Sequence, residues 1–197
     1  MKPIHIGTQP LETARLQLRA FRLEDAQDMF MNWMNDKEVQ SNYGEPVYET
    51  ISSVQEIVRQ WISSYSHDDF YRWAILLKET NQVMGQIAFC EVNRNHHYAD
   101  LEYCIGARFQ GKGYATEAVD AVIRYTFEKT GLNRLQAFHR GNNLPSGSVL
   151  RKSMLRYEGT LRESFFYPDQ KAYDDRVYYA LVKSDYHTMA EKDESGR

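Results

Sequence analysis

Between Leu101 and Phe127 the chain reads LEYCIGARFQGKGYATEAVDAVIRYTF, and this run constrains the fold more than any other. Leu101 to Ile105 is apolar and aromatic enough for a buried strand. Arg108-Phe109-Gln110-Gly111-Lys112-Gly113 follows, and then Ala115, Ala118, Val119, Val122, Ile123 and Phe127 recur at helical spacing. The order is strand, glycine turn, helix. The first turn of a helix presents backbone N–H groups with no internal partner, and the aligned peptide dipoles favour an anion there. Gly111 and Gly113 open backbone conformations that other residues avoid and let a phosphate approach the chain, while Arg108 and Lys112 add positive charge. The run is not a Walker A loop, because no Gly-Lys-Ser/Thr stands at the required spacing. Two glycines do not complete a dinucleotide fingerprint either.

The string Arg108-x-x-Gly111-x-Gly113 followed by Tyr114-Ala115-Thr116-Glu117-Ala118 resembles the acyl-CoA pyrophosphate loop of the GNAT family of N-acetyltransferases, in the branch of the ribosomal-protein N-terminal (RimJ/RimL-like) enzymes. A second match lies downstream in Asn142-Asn143-Leu144-Pro145-Ser146, Val149-Leu150-Arg151-Lys152 and Tyr157 to Arg162. It is similar to the family's Asn-x-x-Ser and the helix and strand after it, and the resemblance covers roughly Leu11 to Tyr186. It implies acetyl-CoA as acetyl donor. Tyr103, Cys104 and Ile105 would hold its pantetheine arm, the loop from Arg108 and Gln110 through Gly111, Lys112, Gly113, Tyr114, Ala115 and Thr116 its pyrophosphate, and Asn143 and Ser146 would complete the contact.

The reaction implied by the resemblance is direct attack of a primary amine on the thioester, with a backbone N–H near Cys104 or Ile105 meeting the thioester oxygen. Asp100 and Glu102 alternate on one face of the strand and are candidates for the base; relatives carry Gly where Glu102 stands and Glu at the position of Asp100. Glu163 on a later strand is a third candidate. The tyrosine that many relatives use as acid is Leu150 here, and Ser146 matches the serine of the ribosomal-protein branch, able either to bond the departing thiolate or to cap a helix. Lys152 is followed by Ser153-Met154-Leu155 where relatives carry Lys-x-Gly-Phe, so that turn differs.

At 197 residues the chain is long enough for a substantial single core, and its slightly acidic balance, net charge −3, gives no sign of a nucleic-acid binder. Residues 1–10 read as an arm, 11–184 as one acetyltransferase domain and 185–197 as a flexible polar tail. Cys90 and Cys104 both fall in apolar strand-like runs and read as reduced core residues, which suits a cytoplasmic protein. His96-His97 is too sparse for a metal site, so no metal is expected. No apolar run is long enough to span a membrane. A monomer or a homodimer is expected, the latter by analogy with the family.

Strands are expected at Leu16–Arg19, Tyr71–Leu77, Val83–Val92, Leu101–Ile105, Arg134–His139, Glu158–Phe166 and Asp175–Val182, with a turn at Pro168-Asp169. Helices are expected over Ala26–Met34, from an N-cap at Thr50 through Trp61, after Gly113 until Gly131, and at Leu144–Leu155, with Ser41–Glu49 a loop. The fold class is α/β (α+β): a mixed, mainly antiparallel sheet of about seven strands, splayed at its middle, with helices on both faces.

The acceptor can be argued from basicity. At pH 7 an α-amine of pKa about 7.8 is roughly one-seventh neutral, whereas a lysine near 10.4 is neutral about four times in ten thousand, a difference of ~3.5 kcal/mol in reactive population. A protein or peptide N-terminus is therefore the expected acceptor, with a polyamine, amino acid or aminoglycoside as the alternative. Trp33, Tyr43, Tyr48, Trp61, Tyr65, Phe165, Phe166 and Tyr167 are available to wall its site, and Asp174 or Asp175 to meet an ammonium group. An acyl-CoA-binding module without catalysis is a rival of another class, and nucleotide binding at Gly111–Gly113 a third.

Overall fold

The computed structural model describes residues 4–167 and 171–195. Eight strands follow the order β1-β2-β3-β4-β5-β6-β8-β7, where β1 is Leu11–Glu12, β2 Leu16–Arg19, β3 Arg72–Leu77, β4 Gln82–Asn93, β5 Tyr98–Ile105, β6 Arg134–Arg140, β7 Arg156–Tyr167 and β8 Ala172–Val182. The seven expected strands are present, and the eighth is the two-residue β1, too short to leave an alternation pattern. Contacts divide the chain into two compact units: one, here the loop unit, is His5–Phe89 with Glu102–Val122; the other, the hairpin unit, takes in Ile4, Cys90–Leu101 and the described residues from Ile123.

In the loop unit, β1 to β4 pair antiparallel in sequence order. Against them pack α1 (Ala26–Met29), continued by a π-helical stretch Phe30–Met34, then α2 (Lys37–Tyr43) and α3 (Ile51–Ser64). Phe21, Met29, Trp33, Met34, Val39, Val54, Val58, Leu76 and Cys104 form its core. The expected loop at Ser41–Glu49 is corrected at its start: α2 runs to Tyr43, capped by Asp36, whose carboxylate accepts from the N–H groups of Glu38 and Val39, and it stops at left-handed Gly44. Thr50 caps α3 through the N–H of Ser53, as expected.

In the hairpin unit, β5 and β6 run parallel, with Tyr98, Ala99 and Asp100 paired to Arg134, Leu135 and Gln136. Their connection includes α4 (Tyr114–Tyr125), a π-helical turn Thr126–Thr130 and left-handed Gly131. β6 pairs antiparallel with β8 over its full length, and β8 pairs with β7. α5 (Leu144–Lys152) links β6 to β7. The frayed tail expected after Ser184 is instead helix α6, Lys183–Ser195. Its anchor is Tyr186, which is buried, stacks on Phe127 with ring centroids 5.2 Å apart and donates its hydroxyl to Glu128. Cys90 is also corrected: it is exposed, with its thiol 3.4 Å from the carbonyl oxygen of Asp100, and only Cys104 is a core residue. The turn expected at Pro168-Asp169 lies outside the described residues. No helix among them is long and apolar enough to cross a membrane.

Candidate active site

In the loop unit β5 ends at Ile105, and a tight turn at Ala107–Phe109 tucks the Phe109 ring into the interior. Gly111 and Gly113 then take left-handed φ of 74° and 81°, a region closed to most side chains. A Cβ at Gly111 would meet nothing within 4 Å, so the space beside the loop is open to a ligand. The N–H of Glu117 bonds the carbonyl of Gly113, which leaves the N–H groups of Tyr114, Ala115 and Thr116 ahead of the first helical bond. Arg108, lying 4.7 Å over the Phe109 ring, and Lys112 are exposed alongside. Unpaired helix-start N–H groups, two left-handed glycines and two exposed cations thus stand together, a set whose chemistry fits a pyrophosphate. Gln110 braces it from within, donating its side-chain amide to the Ile105 carbonyl at 2.9 Å.

A second brace was not foreseen. Arg15 donates to the Lys112 carbonyl at 3.0 Å and to Glu117 Oε2 at 2.7 Å, and its guanidinium lies 4.6 Å over the Tyr114 ring. Thr13 and the backbone N–H of Arg15 bond the other oxygen of Glu117. Burial alone would raise the pKa of this carboxyl, but the bonds from Thr13 and Arg15 outweigh it and hold Glu117 below the usual range. Glu117 stands in the matched string, whereas no local pattern marks Arg15, 102 residues earlier in the chain.

The end of β5 is packed hard against β4. A Cβ at Gly85 would sit 2.2 Å from the Cys104 carbonyl oxygen, so only glycine lets the strands approach this closely. Burial pushes the Cys104 thiol far above its ordinary pKa, which removes it as a nucleophile.

Glu102 is half-buried, and Arg72 Nη2 donates to its Oε1 at 2.8 Å. The same guanidinium donates to Gln86 Oε1 at 2.7 Å and lies 4.5 Å over the Trp61 ring. Burial, with Glu102 nearby, raises the pKa of Tyr43 well above its ordinary value and raises that of Glu45. Of the aromatics expected to wall an acceptor site in this unit, Tyr43, Tyr48 and Trp61 surround this charge cluster or adjoin it. Trp33 does not, being fully buried in the core, and the Tyr65 hydroxyl is held between Phe21 N and the Arg72 carbonyl.

Asp100 lies in the hairpin unit. The Gln136 amide donates to it, Arg134 Nε donates to Gln136 Oε1 at 2.7 Å, and Arg134 is forked onto Glu158. Asp100 Oδ1 is buried and has no partner. Burial raises its pKa, opposed by the Gln136 bond and by the charges of Arg134 and Arg176, and reinforced by Glu91. The two carboxylates of β5 therefore differ: one is engaged by a guanidinium, the other keeps a bare oxygen.

Asn143, not Ser146, caps α5: its side-chain oxygen accepts from the Ser146 N–H at 3.1 Å. The helix start is pressed onto β6, where the buried His139 ring would lie 2.8 Å from a Cβ at Gly147. His139 Nδ1 is 2.6 Å from the Arg140 carbonyl, and burial lowers the pKa of the ring. Glu163 is exposed in a register break of β7 at φ 47°, its N–H bonded to Asp175 Oδ1 at 2.8 Å. Asp174 is used locally, accepting from the N–H groups of Asn142 and Asp175. Among the described residues no cluster of ligands could hold a metal ion.

The profile of the acetyltransferase (GNAT) domain matches residues 15–155, a span that includes the Gly111–Gly113 turn and the start of α5. The chain belongs to this family. The N-acetyltransferase p20 of Bacillus licheniformis is 31% identical over 179 residues, which are 90% of this chain and 98% of that one. The [ribosomal protein uS5]-alanine N-acetyltransferase of Escherichia coli is 30% identical over 109 residues, 55% of each chain. Among solved structures, the ribosomal L7/L12 α-N-protein acetyltransferase RimL in complex with coenzyme A has a TM-score of 0.78, with 17% identity over 90% of this chain and 99% of that one. This GNAT protein is accordingly an acetyl-CoA-dependent N-acetyltransferase.

Proposed function

We propose that the acceptor is the α-amine of a protein or peptide N-terminus, and that Asp100 takes its proton. The observation that carries this reading is the contrast on β5. Glu102 spends an oxygen on Arg72, while Asp100 Oδ1 is buried, unengaged and raised in pKa toward the range useful to a base. A single aspartate can assist an amine that is already one-seventh neutral near pH 7, by the α-amine pKa of about 7.8; a lysine-like amine asks far more of it.

In this mechanism acetyl-CoA and acceptor are bound together. The amine nitrogen attacks the thioester carbon, the C–S bond breaks, the amine proton passes to Asp100, and the thiolate of CoA leaves with a hydrogen bond from Ser146. By the family resemblance, a backbone N–H at Cys104 or Ile105 serves the developing oxyanion, and Tyr103 and Asn143 serve the pantetheine arm. Orientation supplies the largest share of the acceleration. The ribosomal-protein acetyltransferase of Escherichia coli, 30% identical, supports the choice of a protein acceptor. Glu163, exposed at a register break, receives no step.

A small polycationic amine is the second reading, favoured by the pair of carboxylates Glu45 and Glu102 beside Tyr48 and Trp61 in the loop unit. Thiol release from acetyl-CoA, measured across peptides, spermidine, amino acids and an aminoglycoside, separates the two. Peptide turnover is expected, with D100N lowering kcat by about a hundredfold or more and E163Q by less than about threefold. Turnover of spermidine alone, or a D100N enzyme within a few fold of wild type, overturns the reading. Acetyl-CoA binding without release from any amine would leave a binding module.

A further inference from the structure

Arg176 of β8 is held between two rings, 4.2 Å from the Phe138 centroid on β6 and 3.7 Å from that of Phe165 on β7. Among the described residues no carboxylate pairs with it, and its buried Nε has no partner. An arginine packed against two rings has surrendered much of its side-chain entropy and keeps its N–H groups for hydrogen bonds, which suits a carboxylate.

Its neighbours lie on one face of the sheet. Register pairs Asp100 with Gln136, Phe138 with Tyr178 and Arg140 with Arg176, so Asp100, Gln136, Phe138, Tyr178 and Arg176 all point the same way, and all five are half-buried. The Phe138 and Tyr178 rings, 5.4 Å between centroids, lie between the aspartate and the arginine. Arg176 is four residues along β8 from the partner of Gln136 and two strands across from Asp100, which puts the two Cα atoms on the order of 16 Å apart. The guanidinium reaches back far enough for its charge to lower the Asp100 pKa. The amine and carboxylate of one α-amino acid are too close together to span this gap; two or three residues advancing about 3.5 Å each cover about 7–10 Å of it, and the side chains of Arg176 and of the peptide's own Asp or Glu close the rest.

We propose that this face reads the acceptor sequence: a peptide whose α-amine meets Asp100 lays its backbone over Phe138 and Tyr178 and sets an acidic side chain of its second or third residue on Arg176. The inference rests on the peptide reading above and deepens it to a class, N-termini with an early Asp or Glu.

The test uses the full chain and matched peptides that differ only in Glu, Gln or Lys at position two or three, read by thiol release. Wild type is expected to favour the Glu peptide over the Gln peptide at least tenfold in kcat/KM, chiefly through KM, and the Lys peptide least. R176Q is expected to bring the Glu/Gln ratio to about one, and R176K to restore part of it. Acetyl-CoA affinity is measured on both variants to certify folding, and the wild-type panel stands without them. Peptide turnover blind to charge at both positions, or an R176Q enzyme that keeps the wild-type ratio, overturns the inference and leaves the peptide reading intact. Turnover of spermidine with none of the peptides overturns both.

Discussion

Asp100 and Glu102 sit two residues apart on one strand and were equal candidates in the sequence; their partners separate them. A carboxyl whose pKa is raised on folding stabilises the fold while protonated, and that contribution is lost as pH rises through the raised value. At neutral pH the charged Asp100 is thus a liability, and D100N should raise Tm while it lowers kcat, as calorimetry and thiol release on the same sample would reveal. The acid limb of the wild-type kcat profile should lie above that of an ordinary carboxylate near pH 4 and vanish in D100N. Glu117 has the opposite sign. Its pKa is depressed, so its contribution is present above the unfolded value of about 4.3 and lost as pH falls through the lower folded one. E117Q should flatten acid unfolding in that window. It should also weaken acetyl-CoA binding by about tenfold, because the Arg15 that holds the Lys112 carbonyl loses its charged partner. Unchanged affinity by calorimetric titration would remove Arg15 and Glu117 from the loop's support.

At the scale of elements, the strand-turn-helix was legible because two signals agreed, helical apolar spacing after the turn and glycines within it. Both glycines indeed take positive φ. G113V asks a β-branched residue to hold φ 81°, a strain of ~1–3 kcal/mol at the loop. Acetyl-CoA affinity should fall by tenfold or more while far-UV circular dichroism stays unchanged; retained affinity would move the phosphate contact elsewhere. Helix α2 was missed for the converse reason. KEVQSNY carries one aliphatic residue and leads into Gly44 and Pro46, so periodicity is silent and the helix is declared only by its ends, Asp36 and Gly44. The π-helical stretches at Phe30–Met34 and Thr126–Thr130 look like ordinary helix in the sequence, since a single widened turn barely disturbs the apolar spacing. Catalytic geometry was the least legible part. Backbone donors have no residue signature, and the partners that distinguish Asp100 from Glu102, Gln136 and Arg72, lie more than 29 residues away in sequence.

For the molecule as a whole, chain order matches sheet order from β2 to β6, so that part of the sheet follows from the succession of strands. The reversal of β7 and β8 and the role of the C-terminal segment were hidden. That segment reads polar, yet one residue, Tyr186, is 6% exposed and fastens α6 to the hairpin unit through Phe127 and Glu128. Y186A should cost ~3 kcal/mol of stability in denaturant melts, the cost of emptying a buried aromatic site. A loss below about 0.5 kcal/mol would mean that α6 is expendable. Two of the three tryptophans, Trp33 and Trp73, are fully buried. The third, Trp61, lies against the cation that neutralises Glu102. The protein therefore contains a nearly single-site optical reporter: any acceptor that disturbs the Arg72 guanidinium should change the indole emission of Trp61 while the other two stay constant, and W61F should extinguish the response.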